Sequence, residues 1–275
     1  MKNKIMMFLG FVFFIGLLMG TYLFLAKETG NDEGTVRIIA IGTKEDADST
    51  LLCQGKSAVL IDTGEEQDAD HILEVLMQNG VEKLDCMILS HSDSDHIGGA
   101  WKILNTIPVG QVVESPYEEP TEEMLSVNAY LEENHIPIVY PSHTWHLSIG
   151  QMQLLVYPPL EKHYNDNNNY SLAVLVQHKK VNLLFTGDAL RKRSEELLLV
   201  DWPEITLYKV PHHGRKNSAS IELFERIHPQ YGVVTAQNAD YDILEAAKKN
   251  NTQLLFTGEG DVCFISDGKQ ITLEK

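Results

Sequence analysis

The chain has 275 residues, 43% hydrophobic and 22% charged, with 22 Lys and Arg against 39 Asp and Glu for a net charge of −17. That composition excludes a disordered polymer and suffices for one sizeable core. All the acids but only 20 of the basic residues lie beyond residue 26. A body so acidic excludes a large, tight nucleic-acid surface, so no stable nucleic-acid complex is expected, although bound cations can reverse the sign locally. Cys53, Cys86 and Cys263 show no C-x-x-C spacing, which leaves a zinc knuckle or redox motif unsupported.

Ile5 to Ala26 is a run without a single charge, preceded by Lys2 and Lys4 and followed by Lys27, Glu28, Asp32 and Glu33. As a helix rising about 1.5 Å per residue it would span roughly 33 Å, enough for a bilayer core. The positive flank is N-terminal, so residues 1–26 are expected to be a single-pass anchor in the cell membrane, with the body outside the cytoplasm. The stretch is long for a cleaved signal, and Ala26 with Phe24 two before it makes a poor cleavage site. Cleavage would make the body a secreted protein. Residues 27–34 read as a linker and 35–275 as one domain.

Within that domain, β-rich runs fall at Val36–Ile41, Thr50–Cys53, Ala58–Ile61, Cys86–Leu89, Gln111–Val113, Met152–Tyr157, Leu172–Gln177, Val181–Phe185, Thr206–Val210, Gly232–Thr235, Leu254–Phe256, Val262–Ile265 and Ile271–Leu273. Helical patterns fall at Asp68–Gln78, Ile97–Leu104, Thr121–Glu133, Arg191–Leu199, Ser218–Ile227 and Tyr241–Lys249. Strand groups with helices spread between them predict an α+β domain of two sheets packed face to face, with helices outside.

The strongest chemical signal is Leu89-Ser90-His91-Ser92-Asp93-Ser94-Asp95-His96-Ile97-Gly98-Gly99. His91, Asp93, Asp95 and His96 crowd side chains of metal-ligand type into one loop at the end of an apolar strand, where sites are usually held. Imidazole and carboxylate donors suit zinc, manganese or iron. A helix-capping loop would explain one such residue, not four, and would not call for the histidines. Three more strand ends carry companions: Asp62 in Asp62-Thr63-Gly64, Asp188 in Thr186-Gly187-Asp188, and His212-His213 in Pro211-His212-His213-Gly214. Alone, each aspartate reads first as a turn and the two histidines equally as a surface pair; if these strand ends converge on one edge of the sheets, they make a binuclear site.

This pattern resembles the metallo-β-lactamase superfamily, over about Val36 to Leu273. His-x-Asp-x-Asp-His-x-Gly-Gly with a later Thr-Gly-Asp and Val-Pro-His-His-Gly is similar to one branch, which holds the metallohydrolase domain of competence DNA-uptake channel proteins of the ComEC type and their stand-alone relatives. The resemblance implies the αββα four-layer sandwich and two divalent ions, Zn or Mn. It implies that His91 and Asp93 hold one metal, that Asp95 and His96 hold the second with one of His212 and His213, and that Asp188 bridges. Asp62 would orient the ligand loop, and Asp48 matches an acidic position without an assigned role. Asp93 stands where most of the superfamily has His. Asn168, Asn169 and Ser171 stand where the middle His is expected, and Arg215 where the branch has Ser. Asp188 and Asp95 are the expected catalytic carboxylates.

A water activated between two metals would attack phosphorus or a carbonyl. Lys209, Arg215 and Lys216 flank the His-His motif and could neutralise a phosphate. Lys209 and Arg215, with Asn168, Asn169 and Ser171, are the candidate substrate contacts. The expectation is a membrane-anchored, extracytoplasmic phosphodiesterase for nucleic acid or a cell-envelope phosphodiester. A lactam or lactone hydrolase is weakened by Asp93 and the missing His. A non-catalytic surface receptor is opposed by the joint presence of His91, Asp95, His96 and Asp188.

Overall fold

The computed structural model describes residues 34–117 and 120–274. The predicted anchor and most of the linker lie outside the described residues, and no helix among those described is long and apolar enough to cross a membrane.

The first half of the chain supplies β1 (Val36–Ala40), β2 (Thr50–Gln54), β3 (Ser57–Ile61), β4 (Cys86–Leu89), β5 (Val112–Glu114) and β6 (Ile138–Val139). The second half supplies β7 (Trp145–Ile149), β8 (Met152–Tyr157), β9 (Ala173–His178), β10 (Val181–Phe185), β11 (Leu207–Lys209), β12 (Tyr231–Val234) and β13 (Gln253–Phe256), followed by β14 (Val262–Ser266) and β15 (Ile271–Leu273). One sheet runs β15-β14-β1-β2-β3-β4-β5-β6 and the other β13-β12-β11-β10-β9-β8-β7. Each passes from an antiparallel meander to a parallel run, the change falling after β3 in one and after β10 in the other. β14 returns from the second half to pair with β1.

Period-two alternation explains why the strands are apolar on both faces. Val36, Ile38, Cys86, Ile88, Val174 and Val176 point between the sheets into a shared core. Ile39, Met87 and Leu89 point from the first sheet to α1 (Ala69–Gln78), α3 (Ala100–Thr106) and α4 (Glu122–Glu133). Ala173, Leu175 and Leu184 point from the second sheet to α5 (Arg191–Leu197), α6 (Ser218–Ile227) and α7 (Tyr241–Asn250). The result is an αββα sandwich. Local chemistry sets the helix starts: Thr121 Oγ1 accepts from Met124 N to cap α4, and Asn217 makes a reciprocal box with Ser220 at α6.

Two expectations change. β6 and β7 join the predicted strands. The helix expected over Ile97–Leu104 is two pieces, α2 (Ser94–Ile97) and α3. The break falls at Gly98-Gly99, because the 63–66 loop presses against it: a Cβ on Gly98 would lie 2.7 Å from Glu66 N, and one on Gly99 2.2 Å from Thr63 O. The early start puts Asp95 and His96 on a helical turn rather than in a loop.

Glu114, at the end of β5, is buried beside Asn128 and Tyr140, with Oε1 unpartnered. Burial lifts its carboxyl to about 7, against weaker support from Asn128 and Tyr140. A raised acid binds more protons in the folded than in the unfolded state, so stability falls between about pH 4.5 and 7 and stays lower above. Glu114→Gln is therefore expected to stabilise the protein by about 2–3 kcal/mol at pH 8 and by almost nothing at pH 4. Urea unfolding at the two pH values checks this; an equal effect at both would mean the carboxyl is not perturbed.

Candidate metal centre

Four strand ends meet at one rim, two from each sheet: Asp62 after β3, Ser90 to His96 after β4, Asp188 after β10 and His213 after β11. Asp48, before β2, and Thr235, after β12, close it.

Asp62 grips the first sheet's contribution. Its Oδ1 accepts from Ser90 N at 2.7 Å, and its Oδ2 from Ser90 Oγ at 2.8 Å and His96 Nδ1 at 3.0 Å. Thr63 adds its N and Oγ1, both donating to His96 O at 2.7 and 2.9 Å. These bonds hold Asp62 at a left-handed φ of 59°, which costs a non-glycine residue about 1–3 kcal/mol. With Nδ1 turned to Asp62, His96 directs Nε2 to the rim.

Asp95, His96, Asp188 and His213 each bring one donor atom within 4.8 Å of the others. His96 Nε2 lies 3.2 Å from Asp188 Oδ1 and 3.8 Å from Asp95 Oδ2. His213 Nε2 lies 3.1 Å from Asp188 Oδ2 and 3.0 Å from Asp95 Oδ2, while its Nδ1 faces Thr235 Oγ1 at 3.0 Å. His91 adjoins the group, its ring 4.0 Å from that of His96 and its Nε2 3.6 Å from Asp93 Oδ2. Asp93 occupies the position before α2 but makes no side-chain cap there, so its carboxylate stays free for the rim; Asn167 Nδ2 donates to its Oδ1 at 3.2 Å.

The residues fit a divalent metal on their own chemistry. His91 Nε2 and His96 Nε2 are buried without a hydrogen-bond partner; the 3.2 Å approach of His96 to Asp188 is not aligned as a bond. A buried polar atom left unpaired costs about 1–3 kcal/mol, and unpartnered imidazole nitrogens beside carboxylates are a ligand set in which a divalent ion would take the place of protons. Nitrogen and oxygen donors without thiolate suit zinc or manganese. The charge balance agrees. Burial opposes charge on His213, but Asp188 and Asp48 outweigh it and raise it to about 12. Burial likewise opposes charge on Asp188, yet His96, His213 and Lys209 hold it well below the usual carboxylate range. The second close group, Asp48, Asp62 and His96, supports the first: Asp62 occupies His96 Nδ1, and Lys209 occupies Asp48.

His213 lies in the cluster, whereas His212 is half-buried beside it, ring centroids 6.1 Å apart. Both have left-handed backbones, φ 51° and 50°. That double turn swings His213 inward.

Three predicted substrate contacts lie behind the site instead. Ser171 is fully buried, and its Oγ accepts from Asp188 N at 3.0 Å. Asn169 Oδ1 accepts from Arg193 N at 3.0 Å, in the first turn of α5. Lys209 is buried, paired with Asp48 and Asp188. The short strand β11 aims it inward, where two carboxylates offset its buried charge. Arg215 is exposed and ion-paired with Asp46, whose loop lines a cleft of about 420 Å³ with Lys44, Gln237 and Thr257. Asn168 keeps a buried, unpartnered Oδ1. Sequence reasoning missed Ser90, Thr235, Arg193 and Tyr117, whose hydroxyl accepts from Ser92 N at 2.7 Å. Ser90 was signalled by its place before His91; nothing local marks Thr235.

A two-sheet sandwich with helices outside, and a His/Asp cluster on its rim, define a metallohydrolase fold with a candidate metal site. The family model of the metallo-beta-lactamase superfamily matches residues 42–234, and the chain belongs to that superfamily. It is 27% identical over 255 residues to ComE operon protein 3 of Bacillus subtilis, covering 83% of this chain and 32% of that protein. It is 28% identical over 193 residues to Recombination protein 2 of Haemophilus influenzae, covering 68% of this chain and 23% of that one. The chain thus spans a quarter to a third of the length of these relatives. The metallo-beta-lactamase fold protein YhfI from Bacillus subtilis shares the fold, with a TM-score of 0.58 at 13% identity over 84% of this chain and 98% of that one.

Proposed function

We propose that the chain is a binuclear metal-dependent phosphodiesterase, acting on nucleic acid or a cell-envelope phosphodiester outside a membrane to which residues 5–26 anchor it. The observation that carries this reading is the buried convergence of Asp95, His96, Asp188 and His213, with His91 and Asp93 alongside. Two divalent ions, zinc or manganese, held by these residues would supply an acidified water and positive charge for the leaving oxygen. Asp188 faces His96 through Oδ1 and His213 through Oδ2, the arrangement of a bridging carboxylate. Asp95, its side chain 27% exposed against 3% for Asp188, is the more open of the two carboxylates and would be the one to accept a proton there. Asp62 and Thr63 keep His96 from rotating as charge develops.

A phosphodiester rather than a lactam or lactone is supported by the name of one relative, a recombination protein. The uncharged stretch from Ile5 to Ala26 supports the anchor. Stripping metal from the full chain is expected to abolish hydrolysis of bis-p-nitrophenyl phosphate, and zinc or manganese to restore it. Turnover of nitrocefin or a lactone in its place would refute the phosphodiester reading.

A further inference from the structure

Lys209 is an ammonium sealed inside the rim, its side chain 4% exposed. All three of its donors are engaged: by Asp48 Oδ2, by Asp188 Oδ1 at 3.3 Å and by Gly187 O at 3.1 Å. Asp48 in turn accepts from Thr235 Oγ1 and lies 3.3 Å from His213 Nδ1 and 3.7 Å from His96 Nδ1. The same side chain therefore touches a carboxylate of the cluster and the carboxylate that steadies two of its histidines.

We propose that Lys209 is a resident cation that holds Asp188 and Asp48 in the ligating arrangement before any metal arrives, and that its fixed charge limits how tightly the metals are then held. The inference rests on the metal-centre reading above. Asp48 and Asp188 are both buried, and without a counter-charge they would repel each other and spread. With Lys209 between them the rim keeps its shape, so metal meets a formed site rather than folding one. The counterpart is competition: Asp188 Oδ1 already accepts from Nζ, and a positive charge beside a divalent ion opposes its binding. Lys209 is sealed within the rim and acts through Asp48 and Asp188, so it is a positioning residue.

The two partners give opposite signatures. Lys209→Met leaves the two carboxylates with only His96 and His213 as counter-charges. The metal-free full chain should melt about 5–10 °C lower, while zinc or manganese should bind at least tenfold more tightly and raise the melting temperature by more than in wild type. Asp48→Asn turns Lys209 wholly onto Asp188, so metal affinity should fall at least tenfold and the metal-induced shift should shrink. Thermal melts of metal-free and metal-titrated protein, with affinity by calorimetry, read both. Opposite changes in metal affinity support the proposal. A wild-type shift that both variants leave unaltered, their stability falling equally with and without metal, overturns it. If Lys209→Met does not fold, an unchanged or increased affinity in Asp48→Asn is by itself enough to overturn it. No metal-induced shift in wild type would instead remove the metal-centre reading and this inference with it.

Discussion

Asp188→Ala is expected to lower metal-dependent phosphodiester turnover by about 10³-fold or more while leaving the protein folded. The carboxylate stands between His96 Nε2 and His213 Nε2, at 3.2 and 3.1 Å, facing each with a different oxygen. Alanine keeps the backbone N–H that donates to Ser171 Oγ, and Lys209 keeps Asp48 and Gly187 O as partners. Metal content should drop to at most one ion per chain, measured by atomic emission beside the turnover assay. Retained turnover with two metals bound would show that Asp188 is no part of the centre.

The second large effect is expected from Asp62→Ala, although Asp62 reaches no metal position itself. Its carboxylate satisfies Ser90 N, Ser90 Oγ and His96 Nδ1, all buried. Removing it strands several donors at about 1–3 kcal/mol each, so stability should fall by about 3–5 kcal/mol and the melting temperature by roughly 10 °C. His96 also loses the acceptor that fixes its tautomer, and metal affinity should fall by about 10–100-fold. An unaltered affinity would mean that the two Thr63 bonds to His96 O hold the ligand turn unaided. Dissociation constants for zinc and manganese, measured on folded variant at low temperature, separate the two effects.

How far these features were visible in the sequence depended on whether local pattern or distant partners determined them. Runs such as Cys86-Met87-Ile88-Leu89 announced strands because both faces meet a core, and Ile72, Val75 and Leu76 announced a helix by their spacing. Trp145–Ile149 escaped because a half-exposed edge strand carries His146 and Ser148 among its apolar residues. The start of α2 escaped because a run of Ser, Asp and His reads as loop, while Thr63 and Glu66, outside that run, shape the break that follows. Among site residues, chemistry of type was readable and direction was not. Lys209 read as a substrate contact beside two histidines; only Asp48 and Asp188, brought from elsewhere in the chain, turn it inward. The choice of His213 over His212 likewise rests on two left-handed residues that no propensity announces.

The pairing of β14 with β1 has a consequence for how the domain is made. Val36 lies opposite Ser266 and Ala40 opposite Val262, so the first sheet remains open along β1 until almost the entire domain has left the ribosome. Each half contains its own meander and parallel run, yet neither can finish alone. Such long-range closure slows folding and leaves an apolar edge exposed meanwhile. Closure of the first sheet therefore waits on the last strands of the domain, and β1 keeps an unpaired edge until β14 reaches it.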